Sequence, residues 1–243
     1  MTLPNATKLY DVIDGTWPAA SVQQVGQWLI REGGGGGQRV SSATALSFET
    51  RDDIATAEAA MQTLGQPRLF QIREGDTALD AALEDRGYRV VDPVNLWVAP
   101  VETVATQFPP PVTAFTVWEP LAIQIDMWAK GGIGPGRIAV MNRAEGPKTA
   151  LLGRLHDSPA GCAFAAIHGD TAMVHAIYVL QHQRKQGMAR WFMRLAAFWA
   201  RDNGATYLSV ACTQDNTAAN ALYSSLGMTR VGQYHYRKHQ DDI

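Results

Sequence analysis

Val174-His-Ala-Ile-Tyr-Val179, followed by Arg184-Lys-Gln-Gly-Met-Ala189, decides how this 243-residue chain is read. The first segment reads as the end of a strand, Ala172–Val179. After the second, Met188, Phe192, Leu195, Ala196 and Trp199 recur at helical spacing, and Asn203-Gly204 stops the helix near Asp202. A glycine-containing loop that feeds a helix N-terminus exposes unpaired amides and the positive end of the helix dipole, a setting that suits a pyrophosphate. Gly187 lets the backbone approach such a ligand and Ala189 keeps the next approach uncrowded. Lys185 and Arg190 add positive charge. Taken alone, the loop is better read as plain structural punctuation.

The flanking segments extend this unit in both directions. Before it, Thr149–Leu155 and Ala160–Ile167 read as strands, joined by turns at Asp157-Ser-Pro and His168-Gly-Asp. Upstream of them, Glu119–Lys130 and Arg137–Arg143 read as helices, interrupted by Gly131-Gly-Ile-Gly-Pro-Gly136. After it come a strand at Tyr207–Cys212, a helix capped by Asn216 and ended by Gly227, and a terminal strand over Arg230–Lys238. This mixture predicts an α+β fold built on a mixed sheet. Phe108-Pro-Pro-Pro-Val112 cannot continue a helix or a central strand, because proline lacks the amide donor. A boundary is therefore expected near residue 105, with units at 1–105 and 106–243.

The first unit reads as a helix near Lys8–Ile13 and strands at Trp28–Arg31 and Arg39–Leu46, joined by Gly33–Gly37. A helix follows with Ile54, Ala57, Met61 and Leu64 on one face, then a strand at Leu69–Ile72. A second helix, headed by Asp76 and closed by Gly87, precedes strand residues Tyr88–Val98. Asp76–Tyr88 aligns without gaps on Asn216–Met228, which points to duplication; convergent helix punctuation gives the same pattern. The five glycines lack the Lys-Ser/Thr of a nucleotide loop and no helix follows them directly, so a mobile hairpin turn is expected.

Composition narrows the partners. A net charge of −2 and a pI near 6.3 offer no concentrated basic surface for nucleic acid. No apolar run reaches membrane-spanning length and the N-terminus lacks a signal-peptide pattern, so a cytoplasmic protein is expected. Cys162 and Cys212 provide neither a disulfide framework nor metal-ligand spacing; both are expected reduced and buried, and no metal is expected.

The loop at Arg184–Ala189 resembles the Q/R-x-x-G-x-G/A motif of GNAT acetyltransferases, with Ile177-Tyr-Val179 at family distance before it. Asn216-x-x-Ala219-x-x-Leu222-Tyr223-x-x-x-Gly227 resembles that family's second signature, with Met228 where Phe is usual. Lys185 stands where the family often has Gly, and Gln181 where it often has Pro. The resemblance covers about residues 115–238. The opening of the first half is similar to two-part bacterial members, in which a degenerate GNAT-like N-terminal half precedes an intact one.

The resemblance implies a sheet that splays between its fourth and fifth strands, with acetyl-CoA in the opening. It implies that Ile177, Tyr178 and Val179 hold the pantetheine arm, that Arg184, Lys185, Gln186, Gly187, Met188, Ala189 and Arg190 hold the pyrophosphate, and that Asn216 contacts the cofactor. The implied reaction moves an acetyl group to the primary amine of a small molecule or peptide. Homodimerisation is compatible with it. The reading from another class is a non-catalytic acyl-CoA-binding regulatory protein.

Two residues carry implied catalytic roles. Spacing alone makes Tyr223 a core tyrosine on a helix; the resemblance makes it the acid that protonates the departing thiolate, for which a phenol of reference pKa about 10 is suited. His175 is either a hydrogen-bonded histidine of the sheet or the base that deprotonates the amine. Strand alternation predicts that it shares a face with Ile177 and Val179. Glu119 and Asp126 are expected either at the acceptor pocket or as solvated helix charges. His156, His168 and His182 are expected at the surface.

Overall fold

The computed structural model describes residues 2–49 and 52–242. Helix α1 (Ala6–Thr16) is started by the Asn5 side chain, which accepts from the Lys8 amide at 3.0 Å. Strands β1 (Ser21–Val25), β2 (Trp28–Glu32) and β3 (Thr44–Ala45) form a small antiparallel sheet. Next come α2 (Asp52–Thr63), β4 (Leu69–Ile72), α3 (Thr77–Asp85), β5 (Tyr88–Pro100) and the single turn α4 (Val101–Val104). The remainder runs β6 (Ala114–Val117), α5 (Ala122–Lys130), α6 (Pro135–Arg143), β7 (Lys148–Leu155), β8 (Ser158–His168), β9 (Thr171–Val179), α7 (Met188–Asp202), β10 (Tyr207–Thr213), α8 (Thr217–Ser225) and β11 (Thr229–His239).

The strand expected over Arg39–Leu46 is reduced to Thr44–Ala45; Gln38–Val40 is instead a 3-10 turn. The glycines ahead of it explain the difference. A Cβ at Gly36 would run into the Val140 side chain of α6, and one at Gly136 into the Gly35 carbonyl. The glycine run is packed flat on α6 and delivers Arg39 at a turn rather than in a ladder.

The main sheet has eight strands in the order β4-β11-β5-β10-β9-β8-β7-β6. β5 lies antiparallel between β10 and β11, and β11 lies antiparallel between β5 and β4. Strands from either side of the expected boundary at residue 105 thus interleave in one sheet. The aligned helices α3 and α8 are each nine residues long, and each feeds one of two neighbouring strands, β5 and β11.

The sheet is covered on both faces. Met188, Phe192, Leu195, Ala196 and Ala200 of α7 pack with Leu208, Val210 and Cys212 of β10 and Tyr223 of α8. On the opposite face, Leu9, Val12 and Ile13 of α1 pack with Leu96, Met173, Tyr207, Tyr234 and Tyr236. Gly153 of β7 leaves the room that Met188 and Phe192 fill.

Candidate active site

β9 and β10 are parallel neighbours only over Thr171–Val174 and Tyr207–Val210. Beyond Val174 they diverge, and the edge of β9 that faces β10 has no strand partner. The divergence coincides with a bulge. β9 slips register against β8 between Cys162 and Phe164, and Ala176 takes a left-handed φ of 51°. The bulge also breaks the expected alternation. Ile177 and Val179 pack on the α7 side, whereas His175 lies against Trp17 and Phe164 on the other. The extra residue at the bulge turns His175 to the opposite face of the sheet.

The chain then passes through a 3-10 turn, Gln181–Gln183, into the loop. Arg184 Nε donates to the Val179 carbonyl at 3.1 Å, and Gln186 Oε1 lies 3.0 Å from His156 Nε2. Lys185 has a φ of 62°, the left-handed region in which glycine is unstrained. The N-cap of α7 is Gly187, with φ 86°, and it has no side chain to accept from the first-turn amides. Arg184, Lys185, Gln186 and Gly187 are exposed, Met188 is buried beneath the sheet, and Arg190 donates to Ser225 Oγ at 2.8 Å. The loop therefore presents bare amides, a fifteen-residue helix dipole and cations at the mouth of the β9/β10 opening.

Tyr223 is buried on this same face, its ring 6.4 Å from that of Trp97. Burial pushes its phenol well above the ordinary tyrosine range, with a further contribution from Cys212 beside it. Asn216 is exposed and its Oδ1 accepts from the Ala219 amide at 3.1 Å, which makes it the N-cap of α8.

Residues 121–228 match the family model "Acetyltransferase (GNAT) family". That stretch is similar to a GNAT acetyltransferase domain. The chain is similar along most of its length to an uncharacterized N-acetyltransferase, YobR, of Bacillus subtilis strain 168, at 26% identity over 239 residues, covering 95% of this chain and 97% of that one. Its fold resembles that of a GCN5-related N-acetyltransferase from Kribbella flavida, with a TM-score of 0.73, 18% identity and coverage of 98% and 97% of the two chains. It also resembles a tandem GNAT protein from the clavulanic acid biosynthesis pathway, with a TM-score of 0.60, 13% identity and coverage of 81% and 74%.

On the other face of the sheet, at the same opening, is a cleft of about 260 Å³. Ala176 of β9 and Thr213 of β10 belong to its lining, together with Trp17, Arg39, Asp92, Arg137, His175, Tyr234 and Tyr236. His175 is 4% exposed. Thr16 Oγ1 donates to the Val12 carbonyl at 2.6 Å, so His175 Nε2–H donates to Thr16 Oγ1 at 2.8 Å. Nδ1 is then left to accept from Arg39 Nη1 at 3.1 Å. Burial first, and the Arg39 charge second, hold this imidazole well below the ordinary histidine range. Both ring nitrogens are engaged and the ring is neutral.

Glu119 and Asp126 are exposed, as are His156, His168 and His182. Both cysteines are free and buried, and burial pushes the Cys212 thiol up to about 11. Among the described residues no group of His, Cys, Asp or Glu is arranged to hold a metal. No described helix is long and apolar enough to cross a membrane.

Three features of the two faces have no signal in the sequence. Arg39 lies in a stretch that reads as a strand. Thr16 and Trp17 lie at and just beyond the end of a helix remote in sequence from β9. Asn220 links α8 to both neighbouring strands: its Oδ1 accepts from Asn95 Nδ2 and Trp97 Nε1, each at 3.0 Å, and its Nδ2 donates to the Thr213 and Asn216 carbonyls, each at 2.9 Å. An asparagine at helical spacing inside a capped helix carries no distinguishing signal.

Proposed function

We propose that this protein is an N-acetyltransferase that moves an acetyl group from acetyl-CoA to a primary amine by direct attack. The observation that carries the reading is the divergence of β9 from β10, with the uncapped end of α7 and the Tyr223 phenol on one face of it. The donor set fits the cofactor: bare amides with Lys185 and Arg190 suit a pyrophosphate, and the unpaired edge of β9 at Ile177–Val179 suits an amide-bearing arm. Asn216 spends its Oδ1 on the cap, which leaves its side-chain amide group as a donor. When bound, acetyl-CoA supplies a thioester carbonyl that an amine can attack. Tyr223 holds its proton at Oη throughout the neutral range because burial disfavours the phenolate, and we assign it the role of giving that proton to a leaving thiolate.

His175 was considered for the base. Its Nδ1 lone pair is engaged by a guanidinium, so we assign it instead to holding Arg39. We further propose that the two halves are copies of one unit whose last strands, β5 and β11, are exchanged between them. The shared length of α3 and α8 and the pairing of β5 with β11 side by side in the sheet support this.

The test is acetyl-CoA-dependent thiol release over an amine panel, with cofactor binding followed separately by calorimetry. Tyr223→Phe is expected to bind acetyl-CoA as wild type does and to lose roughly 10²- to 10⁴-fold in kcat. Full turnover by that variant would remove Tyr223 from the acid role. Cofactor binding with no transfer to any amine would favour the regulatory reading.

A further inference from the structure

We infer that the cleft beside His175 is the acceptor site and that it selects amines that also carry a carboxylate, with Arg39 as the group that recognises it. The inference rests on the acetyltransferase reading above and names the substrate class it leaves open.

The cleft's polar groups are short of partners. Among the described residues, the buried side-chain atoms with no hydrogen-bond partner include Gln38 Oε1, Arg39 Nε and Tyr234 Oη, and all three residues line this cleft. The Tyr234 hydroxyl lies within reach of Arg39 and Tyr236, so the spare polar groups of the cleft converge on one place where a polar ligand can bind. Of these, Arg39 Nε and the Tyr234 hydroxyl can donate, whereas Gln38 Oε1 can only accept. Arg39 can only donate and stays charged, and it makes no ion pair with any described carboxylate. Tyr234 and Tyr236 phenols lie close to it. A guanidinium edge beside phenol donors is matched by a carboxylate.

The scaffold fixes Arg39 in place before any ligand arrives. Thr16 orients His175, and His175 accepts from Arg39 Nη1, which leaves Nε unspent. The glycine run does the rest. Gly37 has a φ of 92°, and a Cβ there would press on the Arg137 guanidinium, so only glycine lets the turn close against α6. The cleft holds three charged groups in all. Arg39 and Arg137 outnumber the exposed Asp92, and His175 adds no charge. Because Ala176 and Thr213 belong to the same lining, the cleft meets the opening from the face opposite the pyrophosphate loop. An acceptor anchored there by its carboxylate reaches the opening with its amine.

The experiment compares each L-amino acid with its decarboxylated amine as acceptor, for the wild type and for Arg39→Gln. The wild type is expected to acetylate a subset of the amino acids with kcat/KM about 100-fold above the matching amines, since a site built to bond a polar group rejects analogues that lack it. Arg39→Gln is expected to bring that ratio close to one while acetyl-CoA affinity stays within about twofold. Titration of the CoA-loaded protein with N-acetyl-L-amino acids gives a readout independent of turnover: binding is expected in the wild type and lost in the variant. Should Arg39→Gln fail to fold, Arg39→Lys, which keeps the charge without the planar fork, is expected to lower the ratio at least about tenfold. Equal or better acetylation of the decarboxylated amines by the wild type would overturn the inference and leave the acetyltransferase reading standing. An unchanged ratio in either folded Arg39 variant would do the same. Absence of transfer to every member of both classes would overturn both.

Discussion

The bond between Arg39 and His175 pairs a permanent cation with a group that must stay neutral to accept from it. Its pH dependence follows directly. The folded-state pKa of His175 lies well below 6.5, because of burial and then the Arg39 charge. The unfolded chain therefore binds the extra proton first as pH falls. The stabilisation is present in full above the unfolded value of about 6.5 and is lost as pH drops below it toward the folded value, with a slope of at most about 1.4 kcal/mol per pH unit for one group. Denaturant unfolding from pH 7.5 to 5 is expected to show this acid slope in the wild type and a shallower one in His175→Gln. A base role makes a different prediction, since it would remove turnover in that variant at every pH. A glutamine that still supports Arg39 is expected to retain most of kcat and to raise KM for the acceptor. Loss of kcat with KM unchanged would restore His175 as the base.

At the scale of single elements, α8 is tied to its neighbouring strands by one side chain as well as by its apolar face. Asn220 makes three short bonds that join the helix to β5 and β10 and a fourth to the helix's own N-cap, and Trp97, one of its donors, packs against Tyr223. Asn220→Ala leaves Asn95 and Trp97 without their acceptor and the Thr213 carbonyl without its donor. A loss of about 2–3 kcal/mol in urea unfolding is expected, with kcat lowered because the Tyr223 ring is less firmly placed. A variant of wild-type stability would show that water replaces the amide. The helices show how much was legible in the chain. The α7 segment was readable to its ends, because a strong apolar period and clear stop residues coincide with a packed face. The loop before it was readable as an exposed turn into a helix N-terminus, because Gly187 and the apolar period after it mark that junction. The turn at Arg39 was not readable: its conformation is set by Val140 and Gly136 of α6, about a hundred positions away, against which the glycines close. The face of His175 was misjudged for a related reason, since period-two alternation holds only until a bulge inserts a residue. Thus the α7 side of the site was visible from local pattern, whereas the cleft on the other face is assembled from α1, the glycine run, β5, α6, β9 and β11 and has no local signature.

The sheet order raises the question of what one half of the molecule could do alone. A boundary near residue 105 is marked by composition, but it cuts between β5 and the strands on which β5 lies. β5 is thirteen residues long and is hydrogen-bonded on both edges, to β10 and to β11. Without residues 1–105, β10 and β11 would each lose a ladder, and the apolar face of Leu96 and Val98 would be missing from between them. The same truncation removes α1, and with it Thr16 and Trp17 beside His175, as well as Arg39. Exposed β edges of this length invite aggregation. Residues 106–243 expressed alone are therefore expected to be insoluble or molten, although they contain the whole loop and Tyr223. Residues 1–105 alone are expected to fare no better, because β4 loses its only long partner, β11. Co-expression of the two fragments is expected to restore a one-to-one complex that binds acetyl-CoA, since the proline-rich connection lies outside the sheet and its continuity matters less than the strands it joins. A soluble 106–243 fragment with a cooperative unfolding transition and wild-type cofactor affinity would show instead that the second half closes its own sheet, and that β5 is an addition to a finished domain rather than its central strand.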